Sequence, residues 1–328
     1  MKYILKFESE TAFTQTYSGS GYIEPWTSMT KTGSGSRVDY NKTEEQKREE
    51  YMRSPLTMDI ISDGYVVWKA ENASSAKTIE VRVNDGSWSG ITSSSVGEYI
   101  WARAGDRVQF RGDNAQYNTG VSKMNHFGNS SCRFKLSGNI MSLINSTGFT
   151  GMTAISGNYA FCSLFYGCTG LTDAGWLMLP ARSLSEGAYY TMFSGCINMT
   201  KAPELPALTV PNRGYDGMFN GCSGLTEAPE LPATNVGAWG YEQMFRGCTS
   251  ITKAPVLPAN TLGNYAYNLM FYNASSINYV KCLAMTPTSN QVSGWLDGVA
   301  ASGTFVKADG STWPGGSIPS GWTVETAS

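Results

Sequence analysis

The sequence predicts a multidomain, mainly β protein with short helices: a small antiparallel β-sandwich followed by an α/β solenoid with 26-residue coils. Three observations carry that prediction. First, a cassette recurs five times from Phe161 onward: an aromatic, two variable residues, Met-Phe or Leu-Phe, one variable residue, then a Gly-Cys pair that becomes Asn-Ala in the last copy. Its phenylalanines, Phe165, Phe193, Phe219, Phe245 and Phe271, are separated by 28, 26, 26 and 26 residues. A fixed period in that range marks stacked supersecondary units, which offer extended binding surfaces more often than catalytic clefts. Second, residues 57–140 alternate in the manner of strands separated by turn signals. Third, only 15% of the 328 residues are charged and 36 are glycine, which suits a β-rich extracellular or virion-type protein.

Taken in order, the chain divides into four parts. Residues 1–56 form an N-terminal arm, with a strand at Met1–Glu8, a Ser/Gly-rich loop around Thr32–Ser36 and a charged helix from about Thr43 to Arg53. Thr43 with Glu45 or Gln46 supplies a capping signal for that helix. Residues 57–145 form the sandwich, with strands at Thr57–Ile61, Tyr65–Ala70, Thr78–Val83, Glu98–Ala102 and Arg107–Arg111. Asp63-Gly64, Asn84-Asp85-Gly86 and Gly105-Asp106 supply the turns between them. Residues 146–281 hold five coils, and 282–328, rich in Trp, Gly, Ser and Pro, form a C-terminal cap.

Within one coil, Tyr215, Met218, Phe219 and Cys222 stand at i, i+3, i+4 and i+7, the stripe of a short helix of about two turns. The glycine before each cysteine, Asn273 in the last copy, suits a left-handed residue closing that helix. An extended segment follows, such as Leu225 to Ala233. Proline disfavours helix in its predecessor and donates no hydrogen bond. Short strands are therefore expected near the Leu-Thr step, with looser stacking over the Pro-x-x-Pro arc. The first copy is two residues longer and places Trp176 on one edge of the array.

The chemistry-bearing residues point away from catalysis. Seven cysteines are an odd number, and four stand in repeat register as small core hydrophobes, expected reduced, although Cys162 could pair with Cys168. No CxxC pair occurs and the single histidine, His126, is expected on a surface or loop, so neither a metal site nor a cofactor is predicted. Lys201, Glu227 and Lys253 share one slot and are expected to form a cross-coil charge ladder. Glu204 and Glu230 also stack, as two carboxylates on an exposed slot. Arg111-Gly112-Asp113 closes a strand and opens a turn. A net charge of −2 offers no footprint for nucleic acid, and no apolar run reaches the roughly 20 residues that span a bilayer. Aromatics and arginine are favoured at recognition surfaces. Trp176, Arg213, Trp239, Arg246 and Tyr272 occupy variable slots and are the candidate ligand contacts.

The motif Met-Phe-x-Gly-Cys-x-x-Leu-Thr-x-Ala-Pro-x-Leu-Pro-Ala, clearest at Met218–Ala233, resembles BspA-like leucine-rich repeats. Such repeats occur in surface proteins of gut bacteria and in proteins of the phages that infect them. The resemblance covers about residues 159–280 and extends more loosely to Pro55–Thr57, Gly105–Asn114, Gly138–Leu143 and Ile318–Val324. This chain departs from the family in carrying Ala-Pro where common copies have Val or Ile in the strand. The resemblance implies non-enzymatic attachment through a leucine-rich-repeat-like solenoid. The expected setting is a phage virion surface, as a head or tail fibre or capsid decoration, anchored through the N-terminal arm to capsid or tail proteins. A homo-oligomer, a trimer foremost, and a host glycan or protein as ligand go with it. A bacterial cell-surface adhesin is the alternative; the charged, short apolar N-terminus carries no export signal, which favours the virion.

Overall fold

Thr43 begins the first element of the computed structural model, which describes residues 42–118, 120, 125–128 and 130–327. The strand expected at Met1–Glu8 and the loop at 32–36 lie outside these residues. Thr43 Oγ1 accepts the Gln46 N–H while Gln46 Oε1 accepts the Thr43 N–H, a reciprocal cap for helix α1 (Glu44–Arg53). Pro55 stops it, because the residue before a proline is pushed out of helical geometry. α1 buries none of its residues, and it is the one α-helix among the described residues.

Strands β1 (Leu56–Ile60), β2 (Gly64–Ala70), β3 (Thr78–Val83), β4 (Ser89–Thr92), β5 (Glu98–Ala102) and β6 (Arg107–Arg111) follow. β7 (Asn125–His126), β8 (Phe134–Asn139) and β9 (Leu171–Met178) complete this region. One sheet runs β4-β3-β6-β1-β8-β9 and a second runs β5-β2-β7. Neither is closed. The larger sheet is mixed: β9 joins β8 in parallel, so strand pairing passes from the first strands into the first repeat. The chain is thus mainly β, built from several open sheets.

The repeat cassette is not the two-turn helix its stripe suggests. Residues 159, 163 and 167 all have positive φ, as do their counterparts in each later copy, ending with Tyr265, Leu269 and Asn273. Every fourth residue is therefore left-handed, which no α-helix permits. Amides alternate in use. In the third copy Asp216, Met218, Asn220 and Cys222 donate to the carbonyl three residues back. The N–H groups between them, on Arg213, Tyr215, Gly217, Phe219 and Gly221, donate to the next copy. Each cassette is a run of tight turns, and half its donors tie one copy to its neighbour.

A four-residue period keeps the stripe on one side, and two ring columns result. Phe165, Phe193, Phe219, Phe245 and Phe271 stack with centroids 5.5–5.7 Å apart. Tyr189, Tyr215, Tyr241 and Tyr267 form the second column. Parallel rings at this spacing are offset, an arrangement the ring quadrupoles favour. The cysteines bind the columns further: Cys196, Cys222 and Cys248 Sγ each lie 3.1 Å from the preceding copy's phenylalanine carbonyl. All seven cysteines are buried free thiols.

Both ends continue the pattern. Tyr117 and Phe127 stack on Phe161 and Phe165 and donate their amides to Ala160 and Leu164, closing the array at its start. At the other end the beat does not stop after Ile277. Tyr267, Leu269, Phe271 and Asn273 donate to Gln291, Ser293, Trp295 and Asp297. Gly294 and Gly298 occupy the left-handed positions of this sixth copy, and Trp295 covers the last rings.

A strand at the Leu-Thr step forms in the first copy, where β9 begins at Leu171, but in the next three copies the strands fall elsewhere. β10 (Thr209–Val210), β11 (Asn235–Val236) and β12 (Thr261–Leu262) form parallel rungs after the Pro-x-x-Pro arc, not at the Leu-Thr step. The prolines explain this, since they remove donors where a ladder would run. The first copy confirms the cause: it carries Gly175-Trp176-Leu177-Met178 there, and its chain forms all of β9. Parallel strands β13 (Tyr279–Cys282), β14 (Gly303–Lys307) and β15 (Trp322–Thr326) finish the chain.

Candidate functional site

The first left-handed slot of the cassette, at residues 159, 187, 213, 239 and 265, holds Tyr, Gly, Arg, Trp and Tyr, with φ between 55° and 60°. Gly187 shows that glycine satisfies this slot. A side chain there costs roughly 1–2 kcal/mol per residue in backbone energy. The chain nevertheless places Tyr, Arg, Trp and Tyr side chains there, with Tyr159, Arg213 and Trp239 half-buried and Tyr265 exposed.

The displayed side chains form one row. Tyr159 meets Tyr190 edge to face at 6.4 Å. The Arg213 guanidinium lies 5.9 Å from the Tyr190 ring centroid and 4.7 Å from that of Trp239. Trp239 in turn stacks on Tyr265 at 6.1 Å. Flat rings and a flat cation thus succeed one another along five copies, as cation–π and stacking geometry favour.

Beneath the row runs a polar slot with the repeat period: Tyr190, Asp216, Glu242 and Asn268. Arg213 Nη1 donates to Asp216 Oδ2 at 2.6 Å and reaches Glu242 Oε2 at 4.0 Å. Asn268 Nδ2 donates to Glu242 Oε1 at 2.6 Å. Asp216 is buried, and burial pushes its carboxyl up to about 8, helped by the neighbouring Glu242 charge. The Arg213 contact pulls the other way without offsetting the lost hydration. One four-residue step along the cassette lies Arg246, 5.3 Å from the Tyr272 ring and donating to Gln243 Oε1 at 2.8 Å. The turn period puts that pair on the same side.

Of the candidate contacts read from sequence, Arg213 and Trp239 therefore come together, and Arg246 and Tyr272 form a second pair. Trp176 is elsewhere: on β9 it packs against Tyr51 of α1 at 5.4 Å, with Lys47 Nζ 5.8 Å from its ring. Sequence reasoning missed Asp216, Glu242 and Tyr265. The signal was present in the polar residues spaced 26 apart at 190, 216, 242 and 268.

Other expectations resolve differently. His126 is buried in β7, not on a surface loop; its Nε2 meets Glu71 Oε1 at 2.9 Å and its Nδ1 accepts the Gly128 N–H. Burial lowers its pKa, with Glu71 opposing. Among the described residues no ion pair links Lys201, Glu227 and Lys253; Lys253 lies over the Tyr279 ring instead. Glu204 pairs with Arg48 of α1. Arg111 is held by Glu80 and by the Trp88 ring, and Asp113 accepts from Ser146, so that tripeptide is spent on structure. No group of three or more His, Cys, Asp or Glu that could hold a metal occurs among the described residues. No described helix is long and apolar enough to cross a membrane.

No protein-family model matches this chain, and no curated protein or solved structure is significantly similar to it.

Proposed function

We propose that this chain is a non-enzymatic attachment protein whose stacked copies form a leucine-rich-repeat-like solenoid presenting the Tyr159–Tyr265 row to a surface ligand. The observation that carries the reading is the row's placement. Tyr159, Arg213, Trp239 and Tyr265 all sit at positive φ, a conformation that glycine adopts without strain and these side chains do not. Rigid aromatics and arginine offer much contact area for little lost entropy. The region 57–145 acts as a β-sandwich-like base for the array. A phage virion surface is the setting proposed, as a head or tail fibre or capsid decoration with a host glycan or protein as ligand; a bacterial cell-surface adhesin is the second setting. Residues 1–56 would dock on capsid or tail proteins, and a homotrimer is the proposed assembly.

Binding of the fluorescently labelled full chain to a panel of gut bacterial cells tests this. Trp239→Gly removes the central ring while leaving an unstrained left-handed residue. It is expected to weaken saturable cell binding about tenfold or more, the loss typical of one hot-spot side chain. Equal binding by the variant would remove the row from the account.

A further inference from the structure

A second aromatic surface lies on the three-stranded sheet, outside the repeats. Along β5 the pattern alternates, with Tyr99 and Trp101 outward and Ala102 buried. Trp101 pairs across the strands with Tyr65 of β2, and Tyr99 with Val67. Tyr65, Tyr99 and Trp101 are 42%, 59% and 51% exposed. They touch one another: Tyr65 meets Tyr99 at 5.7 Å and 87°, and Trp101 at 4.9 Å and 70°. Rings that meet edge to face do not cover each other's faces as stacked rings do, so this cluster keeps open π surface. Three exposed rings in mutual contact form an apolar patch, a cost in need of a return.

We propose that Tyr65, Tyr99 and Trp101 form a second binding site, independent of the repeat row, that takes the apolar face of a neutral pyranose in a glycan chain. Size argues for a sugar against a folded partner. Three rings about half exposed offer roughly 300 Å², from 150–250 Å² for each whole side chain. A stable protein interface needs about 800 Å² from each side. One or two sugar rings match the smaller area, pressing C–H groups on the rings while hydroxyls stay with polar neighbours. Such neighbours are in place: exposed Ser131 accepts the Tyr65 N–H on its Oγ, and exposed Asp63 precedes β2. Exposed cations and anions are mixed around the trio, with Arg103 and Arg133 beside Asp63 in the adjoining turns, so no single charge selects an ionic ligand.

Affinity electrophoresis of the full chain in gels containing xylan, mixed-linkage β-glucan, galactomannan or mannan tests the site. At least one polysaccharide should retard the parent chain. That retardation should survive Leu208→Ala, an exposed residue outside both surfaces, and fall at least tenfold in Trp101→Ala and in Tyr99→Ala, each checked for an unchanged melting temperature. Two variants are used so that a folding failure in one leaves the other to decide. Retardation in none of the four gels overturns the proposal. So does retardation abolished by Trp239→Gly alone, which assigns sugar binding to the repeat row. A concentration-dependent mass increase that Trp101→Ala removes, without retardation, would show that the trio seats a second copy instead.

Discussion

At the scale of single residues, the positive-φ slots and the buried polar atoms make the sharpest statements. The Tyr189, Tyr215 and Tyr267 hydroxyls are buried without a hydrogen-bond partner, whereas Phe161 fills the same slot in the first copy. An unpaired buried hydroxyl costs roughly 1–3 kcal/mol. Tyr215→Phe should therefore raise the melting temperature or leave it unchanged; a loss of stability would show that the hydroxyl holds an unseen partner. Asp216 carries a pH signature. Its folded pKa of about 8 stands above the ordinary 3.8, so between those values the folded chain holds a proton the unfolded chain releases. The contribution of this residue to stability consequently falls as pH rises from about 4 to 8. Melting measured at pH 5 and at pH 8 should show a smaller difference in Asp216→Asn than in the parent; an identical difference would contradict the burial argument. Neither residue is conspicuous in the sequence, because an aspartate in a variable slot looks solvated until its neighbours are known.

At the scale of the element, the turn cassette shows where sequence reading reaches and where it stops. The ring columns were legible, since Phe165 to Phe271 keep their period. Their geometry was not: within eight residues, i, i+3, i+4, i+7 fits a 3.6-residue helix and a four-residue turn spiral equally well. Only the slot at Gly167, Gly195, Gly221, Gly247 and Asn273 betrayed left-handed backbone, and each of these does have positive φ. Tyr and Arg at 159 and 213 hide the same conformation. The sixth copy escaped because Leu296 and Trp295 stand where phenylalanine and methionine stand earlier, and the opening rung because Tyr117 and Phe127 come from separate stretches. The strands at Thr78–Val83, Glu98–Ala102 and Arg107–Arg111, by contrast, have the bounds expected of them residue for residue. The spiral predicts a substitution pattern. Gly247→Ala should cost about 1–2 kcal/mol, as a Cβ forced left-handed does. Gly247→Asn should cost less, because asparagine tolerates that conformation and Asn273 already holds it. Equal losses in urea unfolding would argue against the turn geometry.

At the scale of the whole molecule, one hydrogen-bonded path runs from β4 through β8 and β9 into the repeats and out to Trp295. A continuous path of this kind ties the six-stranded sheet to the array that carries the repeat row, while the Tyr65–Tyr99–Trp101 trio stands on the separate three-stranded sheet. Rigid display favours binding because little order must be gained when the ligand arrives. Light scattering on the full chain should give about three times the 35.5 kDa chain mass; a monomer would remove the trimer from the account. The most direct measurement is cell binding by the full chain beside its Trp239→Gly variant, with melting curves for both. The parent should bind saturably and the variant about tenfold more weakly, with a variant melting temperature no lower than the parent's. Undiminished binding by a folded Trp239→Gly chain would contradict the account.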